Sequence, residues 1–298
     1  MRPGPLIAAC LSLLLISCGS GPPPPAIVVY VVGDDEAVLS ERLAEFTNDT
    51  KIPITLVFSK SSKNADLVIN NSGSPPADVL MTNNVADIWR AADKGALRPL
   101  RAEVLENSAP QLTDPDGFWT AVAMRWNVIG ASKEASTSPL LASYDVLASE
   151  ELRGRLCLSS SALPVNRSLL AMLINDRGMK NAERLVRAWI RNLATAPFSS
   201  EDQLIEAIRD GTCDYGILSW SPYVDDLMYT VPEQHYMHID GIGVARHARQ
   251  PEVAQKLVEW LVREKQPRIT SDRELGAVNI AGWRDEEATL LAERAGYQ

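Results

Sequence analysis

Residues 26–32, Ala-Ile-Val-Val-Tyr-Val-Val, form an unbroken apolar run rich in β-branched side chains. A strand covered on one face alternates apolar with polar residues. A run without alternation reads as a strand buried on both faces, as in a parallel sheet between helices. Gly33-Asp34-Asp35 interrupts it, and Leu39, Leu43 and Phe46 then recur at helical spacing. Ile52 to Phe58 predicts a second strand and Ala77 to Met81 a third. Thr82-Asn83-Asn84 follows as a cap for a helix striped by Val85, Ile88, Trp89 and Ala92, with Gly95 as its stop. Strand and helix in strict alternation predict an α/β lobe with a largely parallel sheet.

A second set of elements follows. Trp119 to Ile129 reads as an extended segment that carries the chain across, and Arg155 to Leu158 as a short strand ending in Ser159-Ser160-Ser161. Helices are expected from about Ser168 to Asp176, then along Leu185, Val186, Trp189, Ile190 and Leu193, and from Asp202 to Arg209. Tyr215 to Leu218 and Gly241 to Ala245 read as strands. Val253, Leu257, Trp260 and Leu261 stripe a further helix, and Glu286 to Gly296 predicts a last one. The chain has no internal repeats.

The start of the chain is an address. Met1 to Ser17 holds one cation, Arg2, and an apolar run from Leu6 to Ile16, too short to span a bilayer and right for a signal-peptide core. It closes in Leu15-Ile16-Ser17-Cys18, similar to a bacterial lipobox in which Cys18 becomes the acylated first residue. Ser20-Gly21 and four prolines, Pro22 to Pro25, then predict a stiff extended tether. The expected location is therefore the periplasm, with the body anchored to a membrane by the lipid. An exported compartment permits Cys157 and Cys213 to pair, the alternative being two buried thiols.

Charge and composition exclude several classes. A net charge of −9 argues against general binding to nucleic-acid phosphates. Three histidines (His235, His238, His247) make a multi-histidine zinc enzyme improbable. No G-x-S-x-G, H-E-x-x-H or P-loop pattern occurs, so an enzyme is not expected. What stands out instead is a set of polar strand-to-helix corners. In open α/β sheets ligands sit beyond the carboxyl ends of the strands, where helix N-termini gather.

The ordered segments resemble the ferric-iron-binding proteins of bacterial ABC importers, the group that includes FutA and FbpA. The resemblance rests on Ala77 to Thr82, Ile88-Trp89-Arg90-Ala91, Gly95-Ala96-Leu97, Asp114 to Trp119 and Arg125. Gly154 to Leu158, Ser160-Ser161, Asn166 to Ala171, Gly211-Thr212-Cys213-Asp214 and Arg294 to Tyr297 are similar to the FutA branch. It implies a two-lobed type II periplasmic-binding-protein fold with a ligand cleft between the lobes. The domain expectation is a signal peptide over 1–17 and a tether over 18–25. One lobe spans 26–122 with 238–275, and the other spans 123–237 with 276–298, closing by a hinge near 120–130 and 230–240.

That family holds Fe(III) through phenolate oxygens, which suit a hard trivalent cation. Here the tyrosine positions fall on Asp35, Val165 and the pair Ser221-Pro222, with Tyr223 one place later, and a neighbouring arginine falls on Asn127. Valine and proline offer no side-chain donor. The expectation is therefore a solute-binding lipoprotein with a small organic ligand, lipid-like or sterol-like, in a pocket with apolar walls. Asp34, Asp35, Asn83, Asn84 and Arg125 would meet Ser160, Ser161, Val165 and Asn166 from the second lobe, with Trp220, Ser221 and Tyr223 completing its wall. The alternative is a ferric-iron binder using Asp35, Tyr223 and water or an anion; a third possibility is a retired binding fold used as a partner surface. No cofactor or resident metal is expected. The expected partners are a membrane transporter (an ABC permease, or another importer or exporter) and the membrane itself through the lipid. The protein is expected to be a monomer.

Overall fold

The computed structural model describes residues 26–33, 36–135, 142–219, 227–265 and 279–298. Residues 1–25, where the leader and the tether are expected, lie outside these residues. Strand β1 (Ile27–Val32) sits between β2 (Ile54–Ser59) and β3 (Val79–Thr82), parallel to both. Helix α1 (Glu36–Thr50) crosses from β1 to β2, and α2 (Lys63–Ile69) from β2 to β3. The apolar run is explained directly. Ile27, Val29 and Val31 pack with Leu43 and Phe46 of α1, whereas Tyr30 and Val32 pack on the opposite face with Val68 of α2 and Ile88 of α3 (Val85–Asp93).

Sequence periodicity alone does not reveal α2. Its buried face carries Asn64 as well as Ala65 and Val68. The Asn64 amide donates to Val31 O at 2.8 Å and Val57 O at 2.7 Å, pinning the helix to two strands. A polar residue at a core position breaks the apolar stripe on which the sequence argument depends.

After α3, short β4 (Leu97–Arg98) and α4 (Ala102–Glu106) lead into β5 (Thr120–Ala131). Then come β6 (Leu156–Cys157), α5 (Pro164–Arg177), α6 (Met179–Asn192), α7 (Glu201–Arg209), β7 (Tyr215–Ser219), β8 (Met228–Thr230) and β9 (Met237–Ala245). Helices α8 (Pro251–Lys265), α9 (Asn279–Trp283) and α10 (Asp285–Ala295) follow. The sheet order is β2-β1-β3-β9-β5-β7-β6, with β4 on β9 and β8 on β5. The α/β class and the two-lobed arrangement expected from the sequence are thus present.

β5 is the strand that both sets of elements share. Thr120 to Trp126 pair antiparallel with β9, and Asn127 to Ala131 pair with β7. A bulge between Ala121 and Ala123 shifts the register midway. Close approach is required beside it, because a Cβ on Gly241 would lie 2.6 Å from Ile88 Cγ2.

Two devices fix the frame. The buried Asp78 carboxylate accepts from Val28 N at 3.0 Å, Arg249 N at 2.7 Å and Gln250 N at 3.0 Å, joining β1 to the start of α8. Cys157 and Cys213 are bridged, with Cα atoms 5.9 Å apart, and tie β6 to the turn before β7. Loop closure over a separation of 56 residues contributes about 4 kcal/mol in the chain-entropy model. Replacing both cysteines by alanine is expected to lower unfolding free energy by about that amount, read as an earlier urea midpoint. An unchanged midpoint would remove the bridge from this account.

Candidate functional site

The corner after β3 is built by its own side chains. Asn84, in extended backbone, caps α3: its Oδ1 accepts from Asp87 N at 2.7 Å and its Nδ2 donates to Asp87 Oδ2 at 3.0 Å. Thr82 Oγ1 donates to the Asn84 carbonyl. Asn83 N donates to Val32 O at 2.8 Å, and Asn83 lines a cavity at the strand ends. Of the two neighbouring asparagines, Asn83 therefore borders the open space while Asn84 holds the helix start.

The floor of that cavity comes from β5 and β9. Their register sets Arg125 opposite His238 and Ala123 opposite Asp240. Arg125 Nε donates to His238 Nε2 at 2.8 Å, and Arg125 Nη2 donates to Asp240 Oδ1 at 2.5 Å. Burial drives the His238 pKa well below its ordinary value, and the Arg125 charge adds to that effect. The ring is neutral and its Nε2 lone pair faces the guanidinium, so Nδ1 carries the hydrogen. A fork held at two of its nitrogens leaves the remaining N–H groups free to meet an anion with little loss of side-chain freedom.

A second guanidinium shares the space. Arg42 of α1 lines the same cavity, about 260 Å³ in volume. Burial pulls its pKa below the ordinary value, opposed by Asp240 and Glu45 and reinforced by Arg125. Val31, Val38, Leu39, Phe58 and Met81 supply the apolar wall. The pocket has not lost its positive charge with Asn127: a different element provides it. Asn127 lies fully buried, with Nδ2 directed to Val165 O at 3.5 Å. The expectation of a lipid-like or sterol-like ligand is corrected here. An apolar molecule in this cavity would strip water from two guanidiniums and a carboxylate without replacing its hydrogen bonds.

The second-lobe candidates are differently placed. Asn166 Nδ2 donates to Ser159 O, Ser159 Oγ and Ser160 O, tying the loop that precedes α5. Ser160 Oγ accepts from Ala162 N at 3.2 Å, and Ser161 Oγ donates to Tyr297 O at 2.9 Å. Ser160 and Ser161 border a separate cavity, about 490 Å³, between that loop and the end of α10. Val165 is buried on α5. Asp34, Asp35, Trp220, Ser221 and Tyr223 lie outside the described residues. His235 packs edge-on to Trp126, with centroids 4.7 Å apart. Among the described residues, no three His, Cys, Asp or Glu side chains gather as a metal site.

Glu201 opens α7 and accepts Ser219 N at 2.7 Å. Ser219 pairs with Asn127, two residues along β5 from Arg125. Burial raises the Glu201 carboxyl to about 7, against the bonds from Ser219 and the charge of Arg125.

A model of bacterial extracellular solute-binding proteins matches residues 27–271. The chain belongs to that family. Among curated relatives of this solute-binding protein, "Iron uptake protein A1" of Synechocystis sp. (strain ATCC 27184 / PCC 6803 / Kazusa) is 28% identical, over 85% of this chain and 78% of that protein. "Fe(3+)-binding periplasmic protein" of Serratia marcescens is 24% identical, over 72% and 68%. The solved Trichodesmium FutA in complex with iron and citrate superposes with a TM-score of 0.78 at 25% identity, covering 92% of this chain and all of that one. The ferric binding protein from Campylobacter jejuni gives 0.81 at 20% identity, over 91% and 100%, and shares the fold.

Arg42, His238, Asp240 and Glu201 were not among the sequence candidates. Arg42 carries a legible signal, since it follows Val38 and Leu39 by four and three places and so shares their helix face. His238 and Asp240 become visible only through the register of β5 on β9, which one sequence does not state. The two asparagines offer a direct check by chemical denaturation. Asn84→Ala is expected to cost about 1 kcal/mol of stability through loss of the cap. Asn83→Ala, which removes the 3.3 Å bond from Asn84 Nδ2 to Asn83 Oδ1 but leaves the cap in place, is expected to cost less. Equal losses would contradict the division of roles.

Proposed function

We propose that this solute-binding protein captures ferric iron as an anionic oxygen chelate and hands it to an importer, with a lipid on Cys18 holding it at the membrane. The observation that carries the reading is Arg125, fixed by His238 and Asp240 in the same cavity as Arg42. Two guanidiniums repel a bare trivalent cation and attract a complex whose carboxylates outnumber its metal charge. The iron in the names and titles of the relatives supports the metal, and the citrate in the Trichodesmium title supports the anion. A hard cation takes anionic oxygen donors. In this reading the chelate brings most of them, and Asp35 and Tyr223 supply the protein's share. The residues proposed to contact the chelate are Arg42, Arg125 and Asn83, with the apolar wall excluding water around them.

Purified protein mixed with ferric citrate is expected to retain iron and citrate together through gel filtration, with a visible tyrosinate-to-iron band that Tyr223→Phe abolishes. Arg125→Ala is expected to weaken capture by at least about tenfold, since a hydrogen bond to a charged group contributes roughly 1.5–3 kcal/mol. Iron retained equally without citrate, or capture indifferent to Arg125, would contradict the reading.

A further inference from the structure

The cavity that holds the two guanidiniums changes character along its length, in the order of the strands beneath it. It crosses β2, β1, β3, β9 and β5 in turn. Register sets Phe58, Val31 and Met81 side by side on the first three strands. Val31 and Met81 belong to the core that includes Leu43 and Phe46 of α1, and Phe58 packs against it. Asp240 and Arg125, joined by their ion pair, follow on the last two strands. Neighbouring strands stand about 4.8 Å apart, so roughly 10 Å of apolar floor leads up to the charged pair. Helix α1 adds both characters within about one turn: Val38 and Leu39 line the cavity, and so does Arg42.

The apolar end is open to a ligand. Val38 lines the cavity and is 63% exposed. Phe58 is only half-buried, and Gly33 at the end of β1 leaves its ring room, because a Cβ there would lie 3.2 Å from Phe58 Cε2. A wholly hydrophilic anion such as citrate satisfies the guanidiniums and leaves this apolar floor in water. An anion with an apolar body covers both ends, and the area it removes from water adds to affinity.

We propose that the anion this cleft prefers is an aryl carboxylate, its carboxylate on Arg125 and Arg42 and its ring over Phe58, Val31 and Met81, against Val38. The inference deepens the chelate reading by naming the class of the chelator, and it rests on that reading only for the metal. Phe58 offers a ring for offset or edge contact, and Met81 offers a polarisable thioether. The cavity, about 260 Å³, lies below the range usual for drug-sized ligands, which limits the apolar body to a single ring. An oxygen beside the carboxylate, as in salicylate, would let the same anion hold a hard cation.

Phthalate and maleate form a matched pair of probes. Both are cis-1,2-dicarboxylates, both are fully ionised at pH 8, and phthalate alone carries the ring. Titration calorimetry of the iron-free protein is expected to show phthalate bound at least about tenfold more tightly, because four more carbons leave water. Val38→Thr exchanges a methyl for a hydroxyl at an exposed position, where folding tolerates the change. It is expected to lower the phthalate-to-maleate ratio by about threefold. Arg125→Ala is expected to weaken both anions. Equal affinity for the two anions, a ratio indifferent to Val38→Thr, or binding indifferent to Arg125→Ala overturns the proposal even where ferric citrate is retained. A preference for phthalate in protein that retains no iron, from ferric citrate or from ferric salicylate, overturns the iron reading and leaves the aryl class standing. Failure of the wild-type protein to bind either anion at millimolar concentration overturns the proposal.

Discussion

The pairing of β5 with β9 is the constraint on which the rest of the molecule depends. It joins the two sets of helices, because β5 continues past β9 to pair with β7. It also composes the floor of the cavity, since its register sets Arg125 beside His238 and leaves Asp240 within reach of the guanidinium. One set of backbone hydrogen bonds therefore determines both the architecture and the charge geometry. A slip of one residue in that register would turn Arg125 to the opposite face of the sheet.

Electrostatics in the cavity are arranged by contact rather than by total charge. The chain is acidic overall, with a formal charge of −9, yet the described part of the cavity gathers two guanidiniums against one carboxylate. Net charge governs solubility and long-range attraction, whereas a binding site is set by the groups within a few ångströms of the ligand. The neutral His238 is instructive. An imidazolium so close to Arg125 would add repulsion; the neutral ring accepts the guanidinium N–H and holds it in place.

Much of the architecture was legible because both faces of β1 are covered, which wrote an unbroken apolar run into the sequence. The helices with clear stripes, α1, α3, α6, α8 and α10, were legible for the same reason. Helix α2 was not, because Asn64 does at a core position what an apolar residue usually does. The five-residue α9 is too short to show a period. The cleft side of the first lobe was partly readable: Asn83 and Arg125 border the cavity, while Asn84 serves as a cap. Ser160, Ser161 and Asn166 read as donors because corner serines and asparagines serve caps and ligands alike; here their hydrogen bonds hold the approach to α5 and the C-terminal residues. Cross-strand partners such as Asp240 leave no local trace, since their meaning lies in a register set by residues far away in the chain.

The comparisons with iron proteins and the guanidiniums in the cavity are reconciled if the metal arrives already wrapped in anionic oxygen. The most direct measurement is anomalous diffraction at the iron edge from crystals of the protein grown with ferric citrate. The account predicts an iron peak above the β5–β9 floor, with chelate oxygens within hydrogen-bond distance of Arg125. An iron atom seated on protein side chains alone, with no anion touching Arg125, would contradict it.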